Sequence, residues 1–210
     1  MISMSKKDKT KPFIFLKEKA KALGALSAKL ILTEKIVVED RVVLKCRMGC
    51  EKYGKTLACP PYAPTPSEFR KIVGEYHHAL LMKFGSRAEI DSALRKHLGN
   101  PNVPSAVKAN VDAFWSAWRE DMNCLRENVI KLEKEAFEKG YPLSVGLVSG
   151  SCNICEKCNV EKGICIHPEM RRFSEEGVGV NVKATAEKAG IRFTLPFQKN
   201  PETFALLLID

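Results

Sequence analysis

The sequence predicts an α/β fold, with α+β as the alternative: a mixed sheet flanked by helices, with metal carried on cysteine-rich loops. Three observations predict it. Strand-length apolar runs alternate with helical stretches from His78 onward. Ser105 to Lys139 keeps an apolar stripe at steps of three and four for its whole length. Cysteines gather in two loop-like segments, 46–66 and 150–168, the second directly after an apolar run. No repeat or low-complexity linker divides the chain, so residues 1–210 read as a single domain.

Met1 to Lys11 is Lys-rich without an apolar centre and reads as a frayed, soluble start with no secretory leader. Pro12 to Ala25 follows as an amphipathic helix, because Phe13, Leu16, Ala20 and Leu23 recur at helical spacing. Ala28 to Val38 and Arg41 to Lys45 read as two strands of a hairpin turning at Glu39-Asp40 and delivering the chain to Cys46. Four prolines between Pro60 and Pro66 exclude helix and sheet interior, so that segment must be an ordered or polyproline-like stretch lying on something.

Thr65 or Ser67 caps a helix from about Glu68 to Glu75. His78 to Phe84 is a buried strand, and Ser86 to His97 a helix ended by Gly99-Asn100-Pro101. In the long helix, Val107, Val111, Phe114, Trp118, Met122, Leu125, Val129, Leu132 and Ala136 form the stripe, and Gly140-Tyr141-Pro142 stops it. Leu143 to Val148 is the next strand, ending where the cysteine motif begins, a usual place for ligand sites in α/β sheets. A helical turn over Glu169 to Phe173, a helix from about Asn181 to Ala189, and a closing hairpin of Ile191 to Pro196 with Phe204 to Ile209 complete the chain.

The chemistry lies in the cysteines. Cys152-Asn-Ile-Cys155-Glu-Lys-Cys158 follows a C-x2-C-x2-C rule, and Cys165 comes six residues later. Two-residue gaps let a short loop curl round a cube and offer each thiolate to a different iron. The bacterial ferredoxin run has a three-residue last gap with proline directly after its cysteine; here the gap is six and Pro168 stands three residues on. The stretch reads as a [4Fe–4S] site on Cys152, Cys155, Cys158 and Cys165, with structural zinc as the alternative. Cys46, Cys50 and Cys59, spaced C-x3-C-x8-C, form a second candidate group, which Cys124 completes or which leaves one metal position open. The alternative for that group is zinc or partly buried thiols. Eight cysteines match the thiolates of two cubes, so one cluster is expected and a second has its ligands. Cys124 sits about a third of a turn off its helix's stripe.

Other residues get plainer readings. His167 is a surface or capping histidine, with a proton relay as the alternative; His77 and His78 are structural; Tyr53 and Tyr62 shield the first group; Arg171 and Arg172 are solvated, or else face the cluster charge. There is no serine–histidine–acid set, phosphate loop or dinucleotide fingerprint.

The net charge of +9 overstates the basicity if the cysteines are thiolates, since two cubes would offset about four of those charges. The excess is spread along the chain, which suits an acidic redox protein as partner and counts against nucleic acid. No apolar run reaches the length of a membrane span, and the cytoplasm is the expected compartment.

The Cys46/Cys50 pair, Cys59-Pro60-Pro61, the C-x2-C-x2-C run, Cys165-x-His167-Pro168, and Arg172-Phe-Ser174-Glu-Glu176-Gly177 together resemble the domain-of-unknown-function 2284 family of anaerobic archaea and bacteria. The resemblance runs from about Lys45 to the C-terminus and implies bound metal without an established reaction. The expectation is an iron–sulfur electron-transfer component of anaerobic metabolism. Its rivals are a zinc-stabilised module that binds nucleic acid or protein, and a redox enzyme with substrate on an open iron near Cys46, Cys50 and Cys59.

Overall fold

Four apolar runs pair edge to edge: β1 (Ser27–Leu32), β2 (His78–Gly85), β3 (Val145–Val148) and β4 (Glu202–Ile209), in the order β1-β2-β4-β3. All three pairings are antiparallel, so the mixed sheet is corrected to an antiparallel one within the expected class. The structure, a computed structural model, describes residues 11–100, 102–197 and 199–210. The frayed start read for Met1 to Lys11 lies outside them up to residue 10, as does Pro101 of the expected helix stop.

Helices cover both faces of the sheet. In chain order they are α1 (Ile14–Ala22), α2 (Asp40–Gly49), α3 (Pro66–Gly74), α4 (Ser92–Arg95), α5 (Ser105–Glu138) and α6 (Val182–Ala189). On one face Leu80, Met82, Ala205, Leu207 and Ile209 meet Leu16 and Ala20 of α1 and Leu125, Val129 and Leu132 of α5. On the other, Leu81, Leu206 and Leu208 meet Phe69 and Val73 of α3 and Ala186 of α6. β4 is the central strand most fully enclosed, buried from Thr203 to Ile209, which is why its sequence is continuously apolar instead of alternating.

Capping fixes two helix starts. Thr65 accepts from the Glu68 amide, and the Glu68 carboxylate accepts in return from the Thr65 amide, a reciprocal pair that satisfies two orphan donors. Asn181 caps α6 through the Ala184 amide at 3.1 Å.

Four expectations are corrected. Arg41 to Lys45 is not a strand: it lies in α2. The backbone groups a hairpin there would need are committed elsewhere, because the Glu39 N–H donates to Gly179 O and the Asn181 N–H to Val37 O, both at 2.8 Å. Ser86 to His97 shrinks to the four residues of α4, because the Ser86 and Ile90 amides donate to Pro201 O and Lys199 O. Ile191 to Pro196 forms no strand, since β4 already has β2 and β3 on its two edges. The turn after Pro168 ends at Met170, and the chain then extends towards β3.

The tightest packing lies where α5 crosses β3. A Cβ on Gly146 would stand 2.0 Å from Val129 Cγ1 and 3.0 Å from Glu133 Oε1. The Gly146 N–H also donates to Glu133 Oε1 at 2.6 Å. Gly146→Ala is expected to cost about 2–3 kcal/mol, as overpacking of a close contact does. Gly74→Ala, whose Cβ meets nothing within 4 Å, is expected to be neutral. Urea unfolding of the two variants against the parent chain checks the contrast.

Candidate metal centre

The second cysteine loop is an excursion from β3. The Val148 N–H donates to Phe173 O at 3.1 Å, and the Glu175 N–H donates to Val148 O at 3.2 Å, so the returning chain lies parallel to β3. Between those bonds Ser149 leaves the strand, Gly150 turns at φ +75°, and Cys152, Cys155, Cys158 and Cys165 follow. Arg172 braces the return: its guanidinium forks onto Glu133 of α5, the same carboxylate that holds the Gly146 amide.

The first cysteine segment lies on this return. Cys46 is in the last turn of α2, Cys50 just after it, and Cys59 on the proline-rich loop. What that loop rests on is the 3₁₀ turn Glu176–Val178 and its flanks. A Cβ on Gly177 would reach Pro60 Cδ at 3.3 Å, and one on Gly179 would come within 2.8 Å of Pro66. Gly179 also takes φ +90°, so both glycines serve the approach of the two loops.

The cysteines separate into two neighbouring cavities. One, of about 530 Å³, is lined by Cys152, Cys155, Cys158 and Cys165. The other, of about 750 Å³, is lined by Cys46, Cys50 and Cys59, with Trp118, Phe193 and Phe197 among its walls. The strip Thr56–Pro60 stands between them: Thr56, Leu57 and Ala58 line the first, Cys59 and Pro60 the second. It also links them, since the Leu57 N–H donates to Cys158 Sγ at 3.4 Å. Cys124 lines neither cavity; it is exposed on α5, with Asn128 Nδ2 3.8 Å from its sulfur.

Proximity shows in the thiols. Desolvation pushes the Cys155 thiol up, and Cys152, Cys158 and Cys165 add to it. Burial likewise pushes Cys46 up, reinforced by Cys50, Cys59 and Glu176. Burial also raises Cys59, against the pull of the Thr56 hydroxyl and the Cys152 amide. Among the described residues, no three His, Cys, Asp or Glu side chains converge tightly enough to hold a single metal ion.

Two buried charged groups near the loops escaped the sequence reading. Arg126 on α5 is 2% exposed. Its Nη1 donates to Asn123 Oδ1 at 2.9 Å and its Nη2 to Asn153 Oδ1 at 2.7 Å, beside Cys152, while Nε has no partner. Both acceptors are neutral, and among the described residues no carboxylate pairs with it. Burial lowers its pKa and Cys152 opposes that. The signal was legible: Arg126 falls four residues after Met122 and three before Val129, on the apolar stripe itself. Glu175 is fully buried, with Ser149 Oγ donating to Oε2 at 3.2 Å and Oε1 unpartnered.

The remaining candidates take modest places. His167 and Arg171 line the four-cysteine cavity; His167 Nδ1 is 3.8 Å from Glu169, and Arg171 lies over the Phe173 ring at 5.4 Å. Tyr53 lines the three-cysteine cavity and Tyr62 neither. His77 and His78 both bond to Asp210, at 2.9 and 3.2 Å.

This gathering of cysteines coincides with a family match: the family model for predicted metal-binding proteins, DUF2284, spans residues 29–209. The chain belongs to the DUF2284 family. No curated protein and no solved structure matches it. The matched range takes in both cysteine segments of this DUF2284 protein, Arg126 and Glu175. No helix among the described residues is long and apolar enough to cross a membrane.

Glu175 gives a pH prediction. Burial, then the charge of Glu176, pushes its pKa well above the usual 4.5. The folded state therefore keeps a proton that the unfolded chain releases above about pH 4.5. Stability from this group is present below that pH and is lost as pH rises towards the folded pKa, by up to ~1.4 kcal/mol per unit. Urea unfolding between pH 5 and pH 8 should show a shallower decline for Glu175→Gln than for the parent; equal slopes would contradict the buried neutral carboxyl.

Proposed function

We propose that Cys152, Cys155, Cys158 and Cys165 hold a [4Fe–4S] cluster and that the protein is a one-electron redox component. The observation that carries this reading is Arg126. A guanidinium 2% exposed whose hydrogen bonds go only to neutral acceptors, with the charge of Glu127 nearby but not paired to it, is a poorly compensated buried charge, and such a charge costs several kcal/mol. A thiolate-bound metal group at the neighbouring Cys152 supplies the missing negative charge.

The donor set favours the cube over zinc. Tetrahedral zinc, with bonds of about 2.3 Å, draws four sulfurs to about 3.8 Å of one another. Here the four cysteines line a cavity of about 530 Å³, and their first three follow the short C-x2-C-x2-C spacing of a cube-wrapping loop. Such a cluster takes up and releases single electrons. The chain's own residues set the terms of that exchange. The Leu57 amide into Cys158 Sγ and the Arg126 charge both favour the more negative, reduced state and raise its potential. The Arg172–Glu133 pair holds the returning chain in place.

A second reading adds to the first. Cys46, Cys50 and Cys59 face a cavity of about 750 Å³, and Cys124 does not line it. Three thiolates beside such a space suit a metal site with one open position, where a small substrate binds; that arrangement makes the protein a redox enzyme.

Cys155→Ser and Cys158→Ser should each remove about four iron per chain and the associated visible absorbance, whereas Cys124→Ser should leave both unchanged. Iron analysis of anaerobically purified variants checks this. Full iron retention in the first two would overturn the ligand assignment.

A further inference from the structure

Around the mouth of the four-cysteine cavity, five cations meet one acid: Lys52, Lys55, Arg119, Lys157 and Arg171 against Glu156. They come from three separate stretches, the loop after α2, the middle of α5 and the cysteine loop itself, which is why no basic tract stands out in the sequence. Several basic side chains elsewhere are matched: Arg70 with Asp40, Lys83 with Glu202, Arg87 with Asp121, Arg172 with Glu133. At the rim, Lys157 lies 3.3 Å from Glu161 and Lys52 4.0 Å from Glu51, both exposed pairs, and no carboxylate among the described residues pairs with Lys55, Arg119 or Arg171. The same cysteine loop carries two branched apolar side chains in solvent, Ile164 at 66% and Ile166 at 60% exposure, on either side of Cys165.

We propose that this rim is a docking surface for a small acidic protein that carries one electron. The proposal rests on the four-cysteine loop holding a redox group. An excess of positive charge together with exposed apolar side chains on the same loop fits the pattern of a transient interface, where charge steers the encounter and a small dry patch seats it. A nucleic acid would use the cations without the isoleucines, and the cavity lining has no Phe, Tyr or Trp to stack on a base. Docking here brings the partner's redox group to the Cys165 side of the cavity. One electron leaves the carrier, which is oxidised by one unit, and enters the group bound by the four cysteines, which is reduced by one; no proton or leaving group moves.

The test uses the full chain, purified anaerobically with its metal, and an oxidised acidic two-iron plant-type ferredoxin as probe. Calorimetry at 50 and 500 mM salt should show affinity falling at least about tenfold, because contacts at an exposed charged rim are screened. The Lys55→Glu/Lys157→Glu double variant should lose about tenfold at low salt with iron per chain unchanged, and Ile164→Ser should weaken binding at both salt concentrations. Binding that ignores salt and both variants would overturn the proposal. So would rim-dependent binding of a duplex oligonucleotide together with no binding of the ferredoxin, which would make the surface a nucleic-acid site. If iron and sulfide are absent, the cluster reading fails and the electron-transfer role with it; the same calorimetry then decides the docking surface alone.

Discussion

Two backbone hydrogen bonds hold the cysteine loop to the sheet. Val148 donates to Phe173 and accepts from Glu175, so the chain that leaves β3 at Ser149 comes back onto the same strand. Everything between is exposed or half-buried, with little apolar content to fold round. Its shape depends on those closing bonds and on the Arg172–Glu133 fork. Glu133 serves twice, holding both the returning arginine and the Gly146 amide, so the register of α5 on β3 also sets where the loop ends. The proline-rich segment then lies against the turn after the return, and its close approach needs the bare backbones of Gly177 and Gly179.

Electrostatics explains why charged groups sit where the core would exclude them. Arg126 projects from the buried stripe of α5 to the base of the loop, where its hydrogen bond to Asn153 fixes the residue next to Cys152. An amide donor from Leu57 and lysines and arginines line the same cavity, and the buried Arg126 holds Asn153 of its wall. On the proposed reading, they compensate negative charge held by sulfur. Glu175 has the opposite role on the far side of Ser149: its enclosure pushes the carboxyl towards its neutral form, which disfavours added negative charge in a region already rich in thiols.

Much of this was legible in the residues. The stripe from Val107 to Ala136 became α5 almost end for end, the Thr65–Glu68 pair formed its reciprocal cap, and the cysteines fell into the two groups their spacing suggests. The failures share a cause. Val42 and Val43 invite a strand reading, but partners some 140 residues away, at Gly179 and Asn181, take the neighbouring backbone groups and leave a helix. Ser86 to Ile90 has helical character locally and is tied down by Lys199 and Pro201. The basic rim was invisible because its members come from three separate stretches between Lys52 and Arg171. Arg126 alone could have been found, as a cation at a stripe position.

The central claim is that a buried cation and four cysteines enclose an iron–sulfur cube. The most direct measurement is iron, zinc and acid-labile sulfide per chain in anaerobically purified protein, with an electron paramagnetic resonance spectrum after dithionite reduction. The account predicts about four iron and four sulfide, or about eight of each if Cys46, Cys50 and Cys59 are also occupied, with the signal of a reduced cube. Stoichiometric zinc without sulfide would contradict it and leave a zinc-stabilised binding module in its place.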